Sequence, residues 1–242
     1  MITSVGPFSM ITETDMERYR AETFLTKEPE TLAWIDHIKP GEILLDVGAN
    51  IGIYTLYAAS RGITVYAFEP MAENYHHLVR NIEHNGYRNA VALPWAISSG
   101  DMRMDRIYLP KIQAGASGGQ IGAAQDENGK SFIPARVRLV TAMGLWKACE
   151  LLNLEYEMVH IKVDVDGHEK DICHEIFMNG PHHRLSMLVE INLNAWPLDD
   201  AIETFGFWRM TADNEFNRHP QHSRYRRQRE GIAAENGVFT RR

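Results

Sequence analysis

The chain has 242 residues, 44% of them hydrophobic and 24% charged, which is the composition of an ordinary globular protein and excludes a disordered or fibrous one. Thirty-two acidic against twenty-five basic side chains leave a formal charge of −7, which excludes a general binder of nucleic acid or of an anionic membrane surface. Two cysteines, Cys149 and Cys173, without CxxC spacing, exclude a disulfide framework and a cysteine zinc site.

Residues 1–40 read as a helical cap, with helices predicted over 14–26 and 31–38 before Pro40-Gly41. The N-terminus lacks a basic stretch followed by an apolar one, and no segment reaches the roughly 18 apolar residues of a membrane span, so a cytoplasmic location is expected. A strand–helix rhythm then begins. Residues 42–47 (EILLDV) form a short apolar run of the kind a buried parallel strand shows, followed by a Gly/Asn turn and a helix over 51–61. Residues 63–68 are a second strand, 72–85 an amphipathic helix stopped by Gly86, and 89–97 a third strand.

From 98 to 140 the rhythm breaks: strands are predicted over 102–109 and 136–140, with a Gly/Ala/Ser-rich insertion over 110–135 expected to cover an acceptor site. Alternation resumes with helix 142–152, strand 158–165, helix 169–179, strand 185–191, helix 198–205 and strand 207–211. The expected architecture is α/β and Rossmann-like: a mostly parallel seven-stranded sheet with helices on both faces. One domain spans 1–242, divided into the cap, a core over 41–214 and a basic segment over 215–242.

In such sheets ligands bind beyond the carboxyl ends of the strands. The first strand ends in Asp46-Val47-Gly48-Ala49-Asn50-Ile51-Gly52 and the second in Phe68-Glu69-Pro70. A glycine turn opening a helix, with an acid about 20 residues later, suits a nucleotide whose ribose hydroxyls donate to the carboxylate. In the dinucleotide fingerprint a glycine lets pyrophosphate rest on the helix N-terminus; here Asn50 occupies that region and Asp46 stands at the strand end. A carboxylate there repels pyrophosphate but attracts the ammonium and sulfonium of S-adenosylmethionine, so charge favours that cofactor over a nicotinamide dinucleotide.

Residues 46–52 (DVGANIG), 68–74 (FEPMAEN) and 161–169 (IKVDVDGHE) resemble the FkbM family of class I methyltransferases, and the likeness runs from about residue 43 to 191. The third segment commonly reads KIDVEGAE in that family, so Asp166 stands for a Glu and His168 for an Ala. The resemblance implies methyl transfer from S-adenosylmethionine, typically to a hydroxyl of a sugar, glycan or natural product. It places Asp46, Gly48, Asn50 and Gly52 around the methionine end of the cofactor and Glu69 at the ribose, with Ala49 and Asp164 also among the cofactor-binding residues. Strand order in such folds puts Ala96, Ile97 and Ser98 near the adenine, with Ile97 as an apolar contact.

Alternation sends His160, Lys162 and Asp164 to one side of their strand, and a lysine inside a central strand needs a partner, for which Asp46, Asp164 and Glu190 are the candidates. Lys162 therefore reads as a positioning residue. An alcohol acceptor profits from a base as the new bond forms, and Asp166, His168 and Glu190 are the catalytic candidates, His168 having the best-placed ordinary pKa. Asp164, Asp166, Glu190 and Asn192 are hard oxygen ligands, but the resemblance demands no metal and none is expected.

The segment 215–242 carries seven arginines against three glutamates, a net of +4. It reads either as a tail lying on its acidic domain or, through Arg224 and Arg226, as a fork for a phosphate or carboxylate on the acceptor. The expected partner is a small-molecule acceptor, including a sugar or a nucleotide-linked one, with neither nucleic acid nor membrane. The alternatives are an N- or carboxyl-methyltransferase and, less favoured by charge, a nicotinamide-dependent oxidoreductase or a non-catalytic binding protein.

Overall fold

The computed structural model describes residues 1–126, 129–133, 135–155, 157–179, 184–192, 216–218, 227–229 and 232–241. The chain opens not on a helix but on a hairpin, β1 (Ile2–Val5) and β2 (Phe8–Ile11), paired antiparallel from Ile2↔Ile11 to Val5↔Phe8. Gly6, at φ +56°, supplies the reversed backbone of its two-residue turn. Buried Phe8 and Met10 anchor the hairpin to the core. Helix α1 (Asp15–Lys27) begins at a capping box in which the Glu17 amide donates to Thr14 and Glu17 accepts from the Thr14 amide. Helix α2 (Pro29–Asp36) starts on proline, whose fixed φ suits a first turn.

The βα units follow: β3 (Ile43–Val47), α3 (Ile53–Ser60), β4 (Thr64–Phe68), α4 (Ala72–His84) and β5 (Ala90–Leu93), then β10 (Met158–Val163), α6 (Glu169–Asn179) and β11 (Arg184–Asn192). Between them lie β6 (Trp95–Ile97), β7 (Arg103–Leu109), β8 (Gln120–Ile121), β9 (Arg136–Met143) and α5 (Leu145–Leu151), and at the end β12 (Phe216–Arg218), β13 (Arg227–Arg229) and β14 (Ile232–Arg241).

The expected seven-stranded, mostly parallel sheet requires correction. Its parallel part is five strands in the order β5-β4-β3-β10-β11, and β14 then pairs antiparallel with β11, with β12 and β13 each antiparallel to β14. The predicted third strand is cut by Pro94, which has no amide hydrogen to give a ladder: β5 stays in the main sheet while β6 joins a second sheet, β6-β9-β7-β8. Because β9 runs on to Met143, the helix expected from 142 begins at Leu145. The predicted helix 198–205 and strand 207–211 lie outside the described residues.

Helices cover both faces of the parallel strands. One face buries Leu45, Val47, Val159, Ile161 and Val163 against α5 and α6, and the other buries Leu44, Val65 and Ala67 against residues of α1 to α4 such as Phe24, Ile35, Leu56 and Leu78. Cys149 and Cys173 are buried free thiols. Among the described residues no helix is long and apolar enough to cross a membrane. The chain leaves β3 toward β4 on one side and β10 lies on the other, so the crevice where strand order reverses opens between the C-terminal ends of β3 and β10.

Candidate active site

The turn after β3 is built for close approach. Gly48 (φ +84°) and Ala49 both donate their amides to the Phe68 carbonyl at 3.0 Å, tying the turn to the end of β4. A Cβ on Gly48 would lie 1.8 Å from the Asp164 carbonyl oxygen, so the β3 and β10 ends can sit together only with glycine there. Asn50 (φ +52°) adopts the left-handed conformation that a short amide side chain tolerates, and its backbone amide donates to Glu69 Oε2 at 2.8 Å. The other Glu69 oxygen takes the Met71 amide at 2.8 Å. Burial outweighs these hydrogen bonds and pushes the Glu69 carboxyl up to about 7.

Asp46 does not reach the crevice. It is 1% exposed, accepts a 2.6 Å hydrogen bond from Thr55 Oγ1, and faces Lys162 Nζ at 3.9 Å. Lys162, itself 2% exposed, donates to Asp164 Oδ2 at 2.9 Å and lies 5.1 Å from the centre of the Tyr54 ring. Two of the candidate partners thus share the buried ammonium. Burial opposes the charge on Asp164, but Lys162 and a hydrogen bond shared with Glu190 hold its carboxyl well below the usual range. The Asp164 charge, with burial, pushes the Glu190 carboxyl well above the usual range.

Asp166 sits in the left-handed region (φ +60°), which turns its carboxyl away from the strand direction, and Oδ2 accepts the Gly118 amide at 2.7 Å. Burial and the neighbouring Asp164 raise its carboxyl above the ordinary value. Glu169, at the start of α6, takes the amides of Val165 and Gly167 and so shapes this turn; burial pushes it up to about 8.

These groups converge on a cavity of about 240 Å³. Gly48, Asn50, Glu69, Asp164, Asp166 and Glu190 form its sheet side, Met71, Asn74, Ile107 and Leu109 flank it, and Arg20 and Lys27 of α1 face it. A strap over residues 113–120 closes the roof. Asn50 Nδ2 and Asn74 Nδ2 both donate to the Ala116 carbonyl, at 2.8 and 3.0 Å, the Gly115 amide donates to Asn74 Oδ1, and Thr14 Oγ1 donates to the Ala114 carbonyl. Gln120 Nε2 donates to the Asp166 carbonyl.

Of the residues singled out in the sequence, Gly48, Asn50, Glu69, Asp164, Asp166 and Glu190 line this cavity. Ala49 and Gly52 shape the turn behind it, Gly52 (φ +93°) lying against Leu78. Ala96 packs one layer back, against Met71, Ile107 and Leu109, and Ile97 is in the core beneath α5 and α6. His168 stands apart from the cavity; burial lowers its pKa, and the charges nearest it are Asp171 and Asp105. Arg224 and Arg226 lie outside the described residues. Arg20, Lys27, Met71 and Asn74 were missed, whereas the strap falls within the 110–135 insertion expected to cover the site. Arg20 lies on the helix predicted over 14–26 and Lys27 one residue beyond its predicted end, seven residues apart, the spacing of one helix face, which was the available signal. Among the described residues no group of three or more His, Cys, Asp or Glu side chains is arranged to hold a metal ion.

No curated protein sequence matches the chain. Among solved structures, Trm5b from Pyrococcus abyssi is similar at 10% identity and a TM-score of 0.55, covering 100% of this chain and 55% of that one. M. jannaschii TYW2 in complex with AdoMet is similar at 13% and 0.50, covering 100% of this chain and 84% of that one. Magnesium protoporphyrin IX methyltransferase from Synechocystis PCC 6803, with bound SAM, is similar at 11% and 0.50, covering 96% and 86%. At these identities the likeness concerns the fold. A model of the methyltransferase FkbM domain matches residues 46–217, from the Asp46 turn through the acids of β10 and β11. The chain belongs to the methyltransferase FkbM domain family, and it is a methyltransferase whose methyl donor is S-adenosylmethionine.

Proposed function

We propose that the chain transfers the methyl group to a hydroxyl oxygen of a small molecule, of sugar, glycan or natural-product type. The observation that carries this reading is the convergence of Asp164, Asp166 and Glu190 on one cavity with Glu69 at its side. The donor set fits the cofactor: carboxylates on the wall suit an ammonium and a sulfonium, and Glu69 suits ribose hydroxyls. Met71, Ile107 and Leu109 offer the apolar surface an adenine needs, in place of the direct contact first assigned to Ile97.

When bound, the cofactor supplies an electrophilic methyl on a good leaving group. The chain's part is to orient the acceptor and remove its proton. Asp164 is a poor base, since Lys162 stabilises its charge, and Glu190 is tied up in the hydrogen bond it shares with Asp164, whose charge pushes its carboxyl well up. Asp166 lines the cavity, is held by one backbone amide, and has a carboxyl that burial and Asp164 raise above the ordinary value, which makes it more basic, so we assign it the base. His168, outside the cavity, is not assigned that role. Loss of a proton matters for an alcohol and not for a carboxylate acceptor, which would also face three acids.

An acceptor screen with polyhydroxylated small molecules, read by mass spectrometry, tests the reading. The expected product is a methyl ether that survives mild alkali, and Asp166→Asn lowers kcat about 100-fold or more while S-adenosylhomocysteine affinity stays within a few-fold. An alkali-labile ester, an N-methyl product, or an Asp166→Asn enzyme with unchanged kcat would contradict it.

A further inference from the structure

Among the described residues that line the cavity, Arg20 keeps guanidinium donors unspent. It lies on α1 between Glu17 and Phe24, both buried, on the face turned toward the sheet. Its Nε donates to the Gly115 carbonyl at 2.8 Å, which fixes the plane of the guanidinium against the strap. Its terminal nitrogens have no hydrogen-bond or ion-pair partner among the described residues. A guanidinium held by one edge, with its other edge on a half-enclosed cavity, is the geometry that binds two oxygens of a carboxylate or phosphate.

The acids nearby do not fill that position. Asp164 is engaged by Lys162 and Glu190, and Asp166 Oδ2 is taken by the Gly118 amide. Asp166 feels the Arg20 charge without forming an ion pair with it. Lys27, on the same face of α1 and paired with Glu28 at 2.8 Å, adds a second positive charge to this side of the cavity. The cavity is therefore lined both by acids at the ends of β10 and β11 and by cations from α1.

We propose that Arg20 is an anion-binding fork that receives a carboxylate in this cavity, the α-carboxylate of the cofactor's amino-acid end. This rests on the assignment of the cavity to S-adenosylmethionine. An amino acid carries an ammonium and a carboxylate on one carbon, and a lining that holds both acids and a guanidinium suits that pair. An anionic group on the acceptor has the same chemistry and is the other source such a fork would accept.

Calorimetric titration with S-adenosylhomocysteine and with 5′-methylthioadenosine, which keeps the adenosine and sulfur but lacks the amino-acid end, separates these outcomes. In Arg20→Met the affinity for S-adenosylhomocysteine should fall about 10- to 100-fold while that for 5′-methylthioadenosine stays within twofold. Arg20→Lys should recover only part of the loss, because a point charge cannot form the bidentate contact. If S-adenosylhomocysteine affinity is unchanged, inorganic phosphate is titrated into the saturated complex; binding that Arg20→Met abolishes keeps the fork and moves its ligand to the acceptor. Equal losses for both nucleosides would mean Arg20 acts only by holding the strap, and no change in either arm would mean it binds no anion; both overturn the proposal. A parent protein that binds neither nucleoside would instead defeat the cofactor assignment of the cavity, and the fork with it.

Discussion

Gly48 is where backbone geometry and chemistry meet. Any side chain there would strike the Asp164 carbonyl at 1.8 Å in a conformation, φ +84°, that L residues avoid. Left-handed strain of about 1–2 kcal/mol and overpacking of about 1–3 kcal/mol should together make Gly48→Ala about 3 kcal/mol less stable, read as a lower urea midpoint at an unchanged slope. A loss under about 0.5 kcal/mol would show that the β3 and β10 ends are not in contact. This glycine was legible because turn chemistry is local. Asp46 was only half legible: its type and place at the strand end were visible, but not that its carboxylate turns inward to Thr55 and Lys162. Alternation assigns a side chain to a face of a strand, and on a face covered by helices that can mean the core as readily as the crevice. His168 lies outside the cavity lining for a related reason, since the turn at Asp166 and Gly167, both at positive φ, re-aims whatever follows.

At the scale of elements, the strap and α1 act as one unit. Thr14 Oγ1 caps the helix through the Glu17 amide and also donates to the Ala114 carbonyl, so one hydroxyl joins helix start to strap. Thr14→Ala should cost about 1 kcal/mol and speed amide exchange at residues 115, 116 and 118; a stability loss with unchanged exchange there would uncouple the two. The cavity of about 240 Å³ is below the roughly 300 Å³ at which small-molecule pockets usually begin. The strap must accordingly shift outward as the cofactor enters, and exchange at its amides should change on adding S-adenosylhomocysteine. The βα units around this site were legible from apolar runs and glycine stops. The hairpin β1–β2, the break at Pro94 and the docking of the strap were not, because four-residue strands and long-range hydrogen bonds leave no period in the sequence.

At the scale of the whole molecule, the buried acids set an uncommon pH dependence. Glu69 and Glu169 are held up to about 7 and about 8, chiefly by burial, and Glu175 up to about 7, all above the ordinary 4.5. Between 4.5 and those values the folded chain binds more protons than the unfolded one, so their contribution is complete below about pH 4.5 and is lost as pH rises through 7 to 8. The depressed Asp164 acts with the opposite sign below pH 4, outside this window, and His160 and His168, lowered by burial, act with the opposite sign at its lower end and offset part of the fall. Stability should therefore fall from pH 5 to pH 8, and Glu169→Gln should flatten part of that slope. A Tm that rises over this range would contradict the burial of these carboxyls.

The family and the parallel core agree with one another, and both rest the chemistry on where the sulfur of the cofactor lies. A crystal structure with S-adenosylhomocysteine reads that position directly. The sulfur should lie within about 6 Å of an Asp164 or Asp166 carboxylate oxygen, the range over which opposite charges stabilise each other, with the ribose on Glu69. Density for the nucleoside at the opposite ends of the strands, beside Glu42 and His160, or a sulfur turned away from both aspartates, would contradict the account.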